Sequence, residues 1–274
     1  MTKLFTLKKI FSLTLILSLS SPTSYADLKE EKIFNTTIYA STNSNMYKFS
    51  STEYSASSDL GVNIEAKIPF AIIAGIDASV SKDFTQDREQ KINDSTIYFA
   101  KVLFNLGQYI KFATTSSVVV PTSEVSRVEK GLRTAVAIGP SITFDLAMIG
   151  LKYVTFKYSP SFSKNFHKFT TDASNKMNTS YSIKNKFGLT YTPWDFLILA
   201  STLTLADTWS YRDTRRIPSF ENRYSINANV TDEIGISLEL VYGDSLYKAN
   251  GHDTNYKLLN EEKGNISLGV SYAF

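Results

Sequence analysis

Two histidines, His167 and His252, are the only imidazoles in a chain of 274 residues that contains no cysteine. His252 adjoins Asp253 and follows Gly251, and with Asp83 or Asp87 facing it the pair would imitate the acid and histidine groups of a surface protease. A nucleophilic hydrolase also needs a serine held within hydrogen-bond reach of the base, with a third group orienting that base. Ser161, Ser163, Ser174 and Ser245 are available, but none sits in a diagnostic setting. Neighbouring His and Asp in a glycine-containing segment are the ordinary furniture of a solvated loop. Without cysteine there is no thiolate metal site, no thiol nucleophile and no disulfide. The acidic residues lack the oxygen-ligand spacing of a calcium loop, so neither a metal nor another cofactor is expected.

A second set of candidates is larger and more regular. Asp59, Glu65, Asp77, Asp145 and Glu239, together with Lys101, Lys111, Arg133, Lys157, Lys184, Lys186 and Arg223, fall on faces opposite apolar stripes. Charges that line a polar path bias the passage of ions. Alternatively they neutralise one another and merely fill the space, since exposed pairs are individually weak. The acids Asp59, Glu65 and Asp77 come early, and the bases from Lys101 to Arg223 come later. In a closed sheet this would set an acidic wall against a broader basic one.

The elements that position these charges are strands with a period of two. Phe34, Thr36, Ile38 and Ala40 form a first apolar stripe; Leu60, Val62, Ile64, Ala66 and Ile68 form a second. Pro69-Phe70 turns the chain into Ile72, Ala74, Ile76, Ala78 and Val80. Tyr98, Ala100, Val102 and Phe104 form the next outward stripe, which places Lys101 and Lys111 inside. The stretch from Leu132 to Leu146 contains Gly139-Pro140, and proline cannot donate to a ladder. A bulge there keeps the count at twelve strands, whereas a turn changes it to ten or fourteen. Five tight turns, near residues 69, 107, 148, 193 and 232, alternate with longer polar connections. Aromatic residues gather at both strand ends: Phe104, Tyr109, Tyr191, Trp194 and Phe274 at one, Tyr158, Phe162, Trp209, Tyr211 and Tyr242 at the other. That is the distribution of interfacial girdles.

The final strand carries the most specific pattern. Leu268, Val270, Tyr272 and Phe274 alternate with small or polar residues, and the chain stops on phenylalanine. With Ser267 and Gly269 this resembles the terminal strand of Gram-negative outer-membrane β-barrels, where a polar residue, a glycine and two late hydrophobic residues form an assembly signal. The resemblance implies an all-β, transmembrane, antiparallel up-and-down barrel of about twelve strands. It also implies recognition of Ser267, Gly269, Tyr272 and Phe274 by the barrel-assembly machinery. Twelve-stranded members of that class include nucleoside-specific channels, acidic-oligosaccharide porins, autotransporter translocators and a phospholipase, and no motif here selects among them.

The start of the chain points to the same compartment. Lys3, Lys8 and Lys9 precede an apolar stretch from Ile10 to Leu19, followed by Ser24-Tyr25-Ala26, which fits a secretory leader cleaved after Ala26. The apolar core is shorter than the roughly 20 residues a membrane-spanning helix needs. The expected organisation is a signal peptide over 1–26, a short periplasmic tail over 27–33 and a barrel over 34–274. The 29 Lys and Arg exceed the 26 Asp and Glu by three, and the leader lysines account for that excess. A neutral mature chain gives no support to a nucleic-acid partner.

These features lead to one expectation of function: a passive, non-enzymatic outer-membrane channel for ions or small hydrophilic solutes, mildly anion-selective. The alternatives are a non-conducting structural or adhesion barrel with functional loops and, behind it, a surface hydrolase. The expected partners are outer-membrane lipid, the assembly machinery and small solutes. Monomeric and homo-oligomeric forms fit the sequence equally.

Overall fold

Alternation of apolar and polar residues gives each segment one face for a greasy exterior and one for a polar interior, and closure into a barrel satisfies both. The structure is a computed structural model that describes residues 33–47, 53–85, 90–248, 250–258 and 264–274. The expected leader, and the tail apart from its last residue, lie outside the described residues, as does Asp87.

Thirteen strands are present among the described residues: β1 (Phe34–Asn45), β2 (Ala56–Ile68), β3 (Ile72–Asp83), β4 (Gln90–Ile92), β5 (Ser95–Leu106), β6 (Ile110–Val120), β7 (Leu132–Asp145), β8 (Val154–His167), β9 (Thr179–Trp194), β10 (Leu197–Ser210), β11 (Ser219–Asn229), β12 (Ile234–Ser245) and β13 (Gly264–Ala273). Each pairs antiparallel with its neighbours, and the β1–β13 pairing closes a twelve-stranded barrel. The thirteenth element, β4, carries β5 upward. It pairs with Val80 to Lys82 of β3 after β5 has paired with Ile72 to Asp77, and Asn93-Asp94 breaks the strand between them. The first and last strands meet at closure, where the Phe274 amide donates to the Thr36 carbonyl at 3.0 Å.

Tight turns at one rim and longer connections at the other reproduce the expected asymmetry. The long connections interlock. Asn178 donates from its side-chain amide to the carbonyls of Lys130 and Phe169 at 3.0 and 3.1 Å. A single π-helical turn, Val125–Glu129, is fastened by Asp94, whose carboxylate accepts from the Ser126 hydroxyl at 2.5 Å and the Ser123 amide at 2.9 Å. Partial burial alone would raise the Asp94 carboxyl; these hydrogen bonds and the nearby Lys130 charge outweigh it and hold it below the usual carboxylate range. Beyond β12, Tyr256 and Lys257 fold over the outer face of β11 and β12. The ring of Tyr256 lies 4.9 Å from that of Phe220, the Lys257 carbonyl accepts from Asn222, and Tyr242 is left only 1% exposed.

Two sequence expectations need correction. In β5, Lys101 stands opposite Ile72, Phe99 opposite Ala74 and Ile97 opposite Ile76, so all three share the outer face. Tyr98 faces inward and is 6% exposed. A bulge between Val102 and Phe104 inserts one residue and returns Phe104 to the outside, paired with Phe112, its ring 4.4 Å away. The expected parity therefore holds only below the bulge, and Lys101 is an outward lysine, not a lumenal one.

The second correction concerns Gly139-Pro140, which neither bulges nor turns. β7 runs straight through it, but the β7–β8 ladder stops at Ile138↔Phe162 and resumes at Ile142↔Tyr158 with no register shift. Pro140 thereby faces Pro160 across the seam. Three consecutive pairs are lost because a position that should exchange two N–H···O=C bonds carries proline on both strands, and neither can donate. The ladders from β6 to β7 and from β8 to β9 continue past both prolines.

Candidate functional site: the lumenal wall

On the wall built by β1, β2, β3 and β5, the inward acids Asp59, Glu65 and Asp77 each accept hydrogen bonds from neutral side chains. Asp59 accepts from the Asn43 side-chain amide. Asp77 accepts from the Tyr39 hydroxyl, 3.2 Å from each carboxylate oxygen, and from Asn63 at 3.5 Å. The Tyr98 hydroxyl donates to Glu65 at 2.5 Å and lies 3.1 Å from the Asn63 side-chain oxygen. The resulting chain, Glu65, Tyr98, Asn63, Asp77, Tyr39, crosses four strands.

Two glycines make room for it. Tyr39 stands opposite Gly61, and Tyr98 opposite Gly75. In both cases the tyrosine ring occupies the space that a β-carbon on the glycine would take. Each ring lies across its cross-strand partner, so the hydroxyls reach the carboxylates along the wall instead of projecting into the bore. Glu65 is only 5% exposed. Sequence reasoning found Asp59, Glu65 and Asp77 but missed their tyrosine partners. The sign was present in Gly61 and Gly75, each on the inward face of its stripe.

The opposite wall has another character. Lys111 and Lys157 both stand opposite Thr143, on β6 and β8 respectively, so one lumenal row carries them on either side of a hydroxyl. Lys157 faces Gly188 on β9, and Lys186 lies two residues from that glycine on the same face. Lys184 is one inward position further up β9, opposite Ser161. Among the described residues, no ion pair involves any of these four lysines. Arg223 differs: it contacts Glu239 at 3.0 Å and Glu221 at 3.3 Å. This satisfies Glu239 and cancels the arginine.

The remaining sequence candidates sit at the rims. Asp145 ends β7 at the tight-turn side and accepts from the Ala147 amide at 2.9 Å, capping the turn Leu146–Ile149. Arg133 is exposed at the far end of β7, beside a bulge between Leu132 and Thr134. In β13, Ser267 faces Glu239 and Asn43, Gly269 faces Ser237 and Ser41, and the rings of Tyr272 and Phe274 meet at a tilt below, 5.5 Å apart.

Among the described residues neither imidazole is hydrogen-bonded to a serine or a carboxylate. His167 closes β8 and meets Tyr211, whose hydroxyl is 3.0 Å from its amide and 3.2 Å from Nδ1. The His252 amide donates to Asn250 within an exposed turn, where Asp253 lies 3.8 Å from Lys248. Among the described residues there is no cluster of three or more His, Asp and Glu side chains able to hold a metal ion.

No protein-family model and no curated protein sequence matches the chain. Solved structures do resemble it in shape. An outer membrane channel from Pseudomonas putida F1 aligns with a TM-score of 0.63 and 12% identity, covering 93% of this chain and 100% of that one. The NanC porin aligns at 0.56 and 12% identity over 86% of this chain and 98% of that one. The KdgM porin aligns at 0.50 and 6% identity over 87% and 99%. At such identities the likeness is one of fold, and that fold is the closed antiparallel β-barrel of the outer membrane.

Proposed function

We propose that this barrel is a passive channel of the Gram-negative outer membrane that passes ions and small hydrophilic solutes and prefers anions. The observation that carries this reading is the asymmetry of the bore. Its acids are engaged by tyrosine, asparagine and arginine, while four lumenal lysines have no ionic partner among the described residues. An uncompensated positive wall in a confined polar space attracts anions and repels cations. Passage involves no covalent step: the polar wall replaces part of a solute's hydration, and the gradient supplies the free energy. Ser267, Gly269, Tyr272 and Phe274 serve the assembly machinery during insertion.

The test is current through the refolded barrel in a planar bilayer under a salt gradient. Stable steps with a reversal potential on the anion side support the reading, and Lys111→Glu with Lys186→Glu should move that potential toward cations. Reproducible insertion without current would refute it and assign the molecule to non-conducting structural barrels.

A further inference from the structure

The lysines of the basic wall are not evenly spread. Lys111 and Lys157 share one lumenal row with Thr143 between them, and Lys186 is the diagonal cross-strand neighbour of Lys157. Diagonal neighbours on one face stand about 7–8 Å apart, well within the span of two lysine stems. Lys157 is within electrostatic range of both other ammonium groups. Lys184 lies one inward position above Lys186, and Arg223, further around the wall, is ion-paired with both Glu221 and Glu239. Three like charges are thus gathered with no ion-pair partner among the described residues: the acids nearest in register, Glu221 across Thr204 from Lys186 and Asp145 diagonal to Lys111 and Lys157, are held by Arg223 and by the Ala147 amide.

A monovalent ion pairs with one ammonium at a time and leaves the repulsion among the others. A compact oxyanion with two or more charges can accept hydrogen bonds from all three at once, through several oxygens set at wide angles. Thr143 adds a hydroxyl at the centre of the row. We propose that Lys111, Lys157 and Lys186 form one discrete site in the bore for a dianionic tetrahedral oxyanion, of the phosphate or phosphate-monoester class. The role of this site in transit rests on the channel reading, but its ability to bind does not. Phosphate held there is a saturable step, in contrast to the diffuse preference that a merely positive wall gives.

Binding is measured directly by titrating the refolded barrel in detergent with inorganic phosphate, followed by phosphorus NMR line broadening in excess chloride. The expected result is a saturable single-site curve. Losing one charge-assisted contact in Lys157→Gln should weaken it about tenfold or more, with Lys157→Arg restoring most of the affinity and the exposed Lys176→Gln leaving it unchanged. Heat-dependent gel mobility verifies that each variant is folded, and Lys111→Gln or Lys186→Gln replaces Lys157→Gln if that variant does not fold. Titration without saturation, or with equal affinity in wild type and the folded variants, overturns the site. Glycerol phosphate in place of inorganic phosphate distinguishes an ester ligand from the free ion by their relative affinities. Bilayer current is scored separately: current without phosphate binding removes the site and keeps the channel, and binding without current does the reverse.

Discussion

The ring of Tyr98 fills the space above Gly75, its partner across the β3–β5 ladder, and its hydroxyl reaches Glu65 one strand further on. A β-carbon at position 75 must therefore displace the ring. Gly75→Ala should cost about 1–3 kcal/mol as an overpacked site, read as a lower urea midpoint. In a Tyr98→Ala background the same change should cost little, because the obstruction has gone, and equal penalties in both backgrounds would contradict the contact. Tyr98→Phe keeps the ring but deprives a buried carboxylate of its donor, at a cost of about 1–3 kcal/mol.

Arg223 bridges Glu239 and Glu221, so its removal does more than subtract a positive charge. Arg223→Gln exposes two carboxylates to the bore, and two adjacent carboxylates with free oxygens attract divalent cations. The variant should lose anion preference and become sensitive to block by magnesium. Lys184→Gln, which frees no carboxylate, should shift the reversal potential in the same direction without magnesium block. Equal magnesium sensitivity in the two variants would show that the bridge does not set the local charge.

Asp94 fastens the π-helical turn of the rim through Ser123 and Ser126, and its carboxyl is held below the ordinary range. A depressed folded-state value means that the carboxylate stabilises the loop at all pH above the unfolded value. That contribution is lost as pH falls from there through the folded value. Pepsin cleavage within residues 121–131 should rise in wild type over that acid window relative to Asp94→Asn, whose loop has no such charge to lose. A constant ratio between the two proteins across the window would exclude the carboxylate as the fastener.

Pro140 and Pro160 leave the β7–β8 seam without two backbone hydrogen bonds. Pro160→Thr returns one donor at a strand position, so it should raise the urea midpoint by the equivalent of about 0.5–1.5 kcal/mol. The gain should vanish if the neighbouring carbonyl is already satisfied. Hydrogen exchange at the restored amide distinguishes these outcomes, since a bonded amide in the wall exchanges slowly.

Most of the architecture was legible because β2 and β3 alternate almost without fault, from Leu60 to Ile68 and from Ile72 to Val80, and a half-buried strand admits only one register. β5 was misread above its bulge for a physical reason. Tyrosine is amphipathic, so Tyr98 suited an outer stripe as well as an inner one, and an inserted residue that flips parity has no composition of its own. Pro140 was visible as a disturbance, but the gap it leaves is set twenty residues away, by a second proline that only the register places opposite, while the ladder to β6 carries the strand past it. The charge pattern of the bore was readable as a set of residues. Which charges are engaged was not, because Arg223 finds Glu239 and Lys157 finds no acid only once neighbouring strands are aligned.

Lys101 stands on the outer face of β5 opposite Ile72, the first residue of β3 after a tight turn. An ammonium group in that position reaches for water along the shortest route, toward the headgroups at the turn side, while its methylene stem lies against the apolar wall. Sinking the barrel toward the far leaflet would drag this charge into hydrocarbon, at a cost that rises with depth. One outward lysine therefore acts as a plumb line, setting how deep the cylinder hangs in its bilayer independently of the girdles at either end.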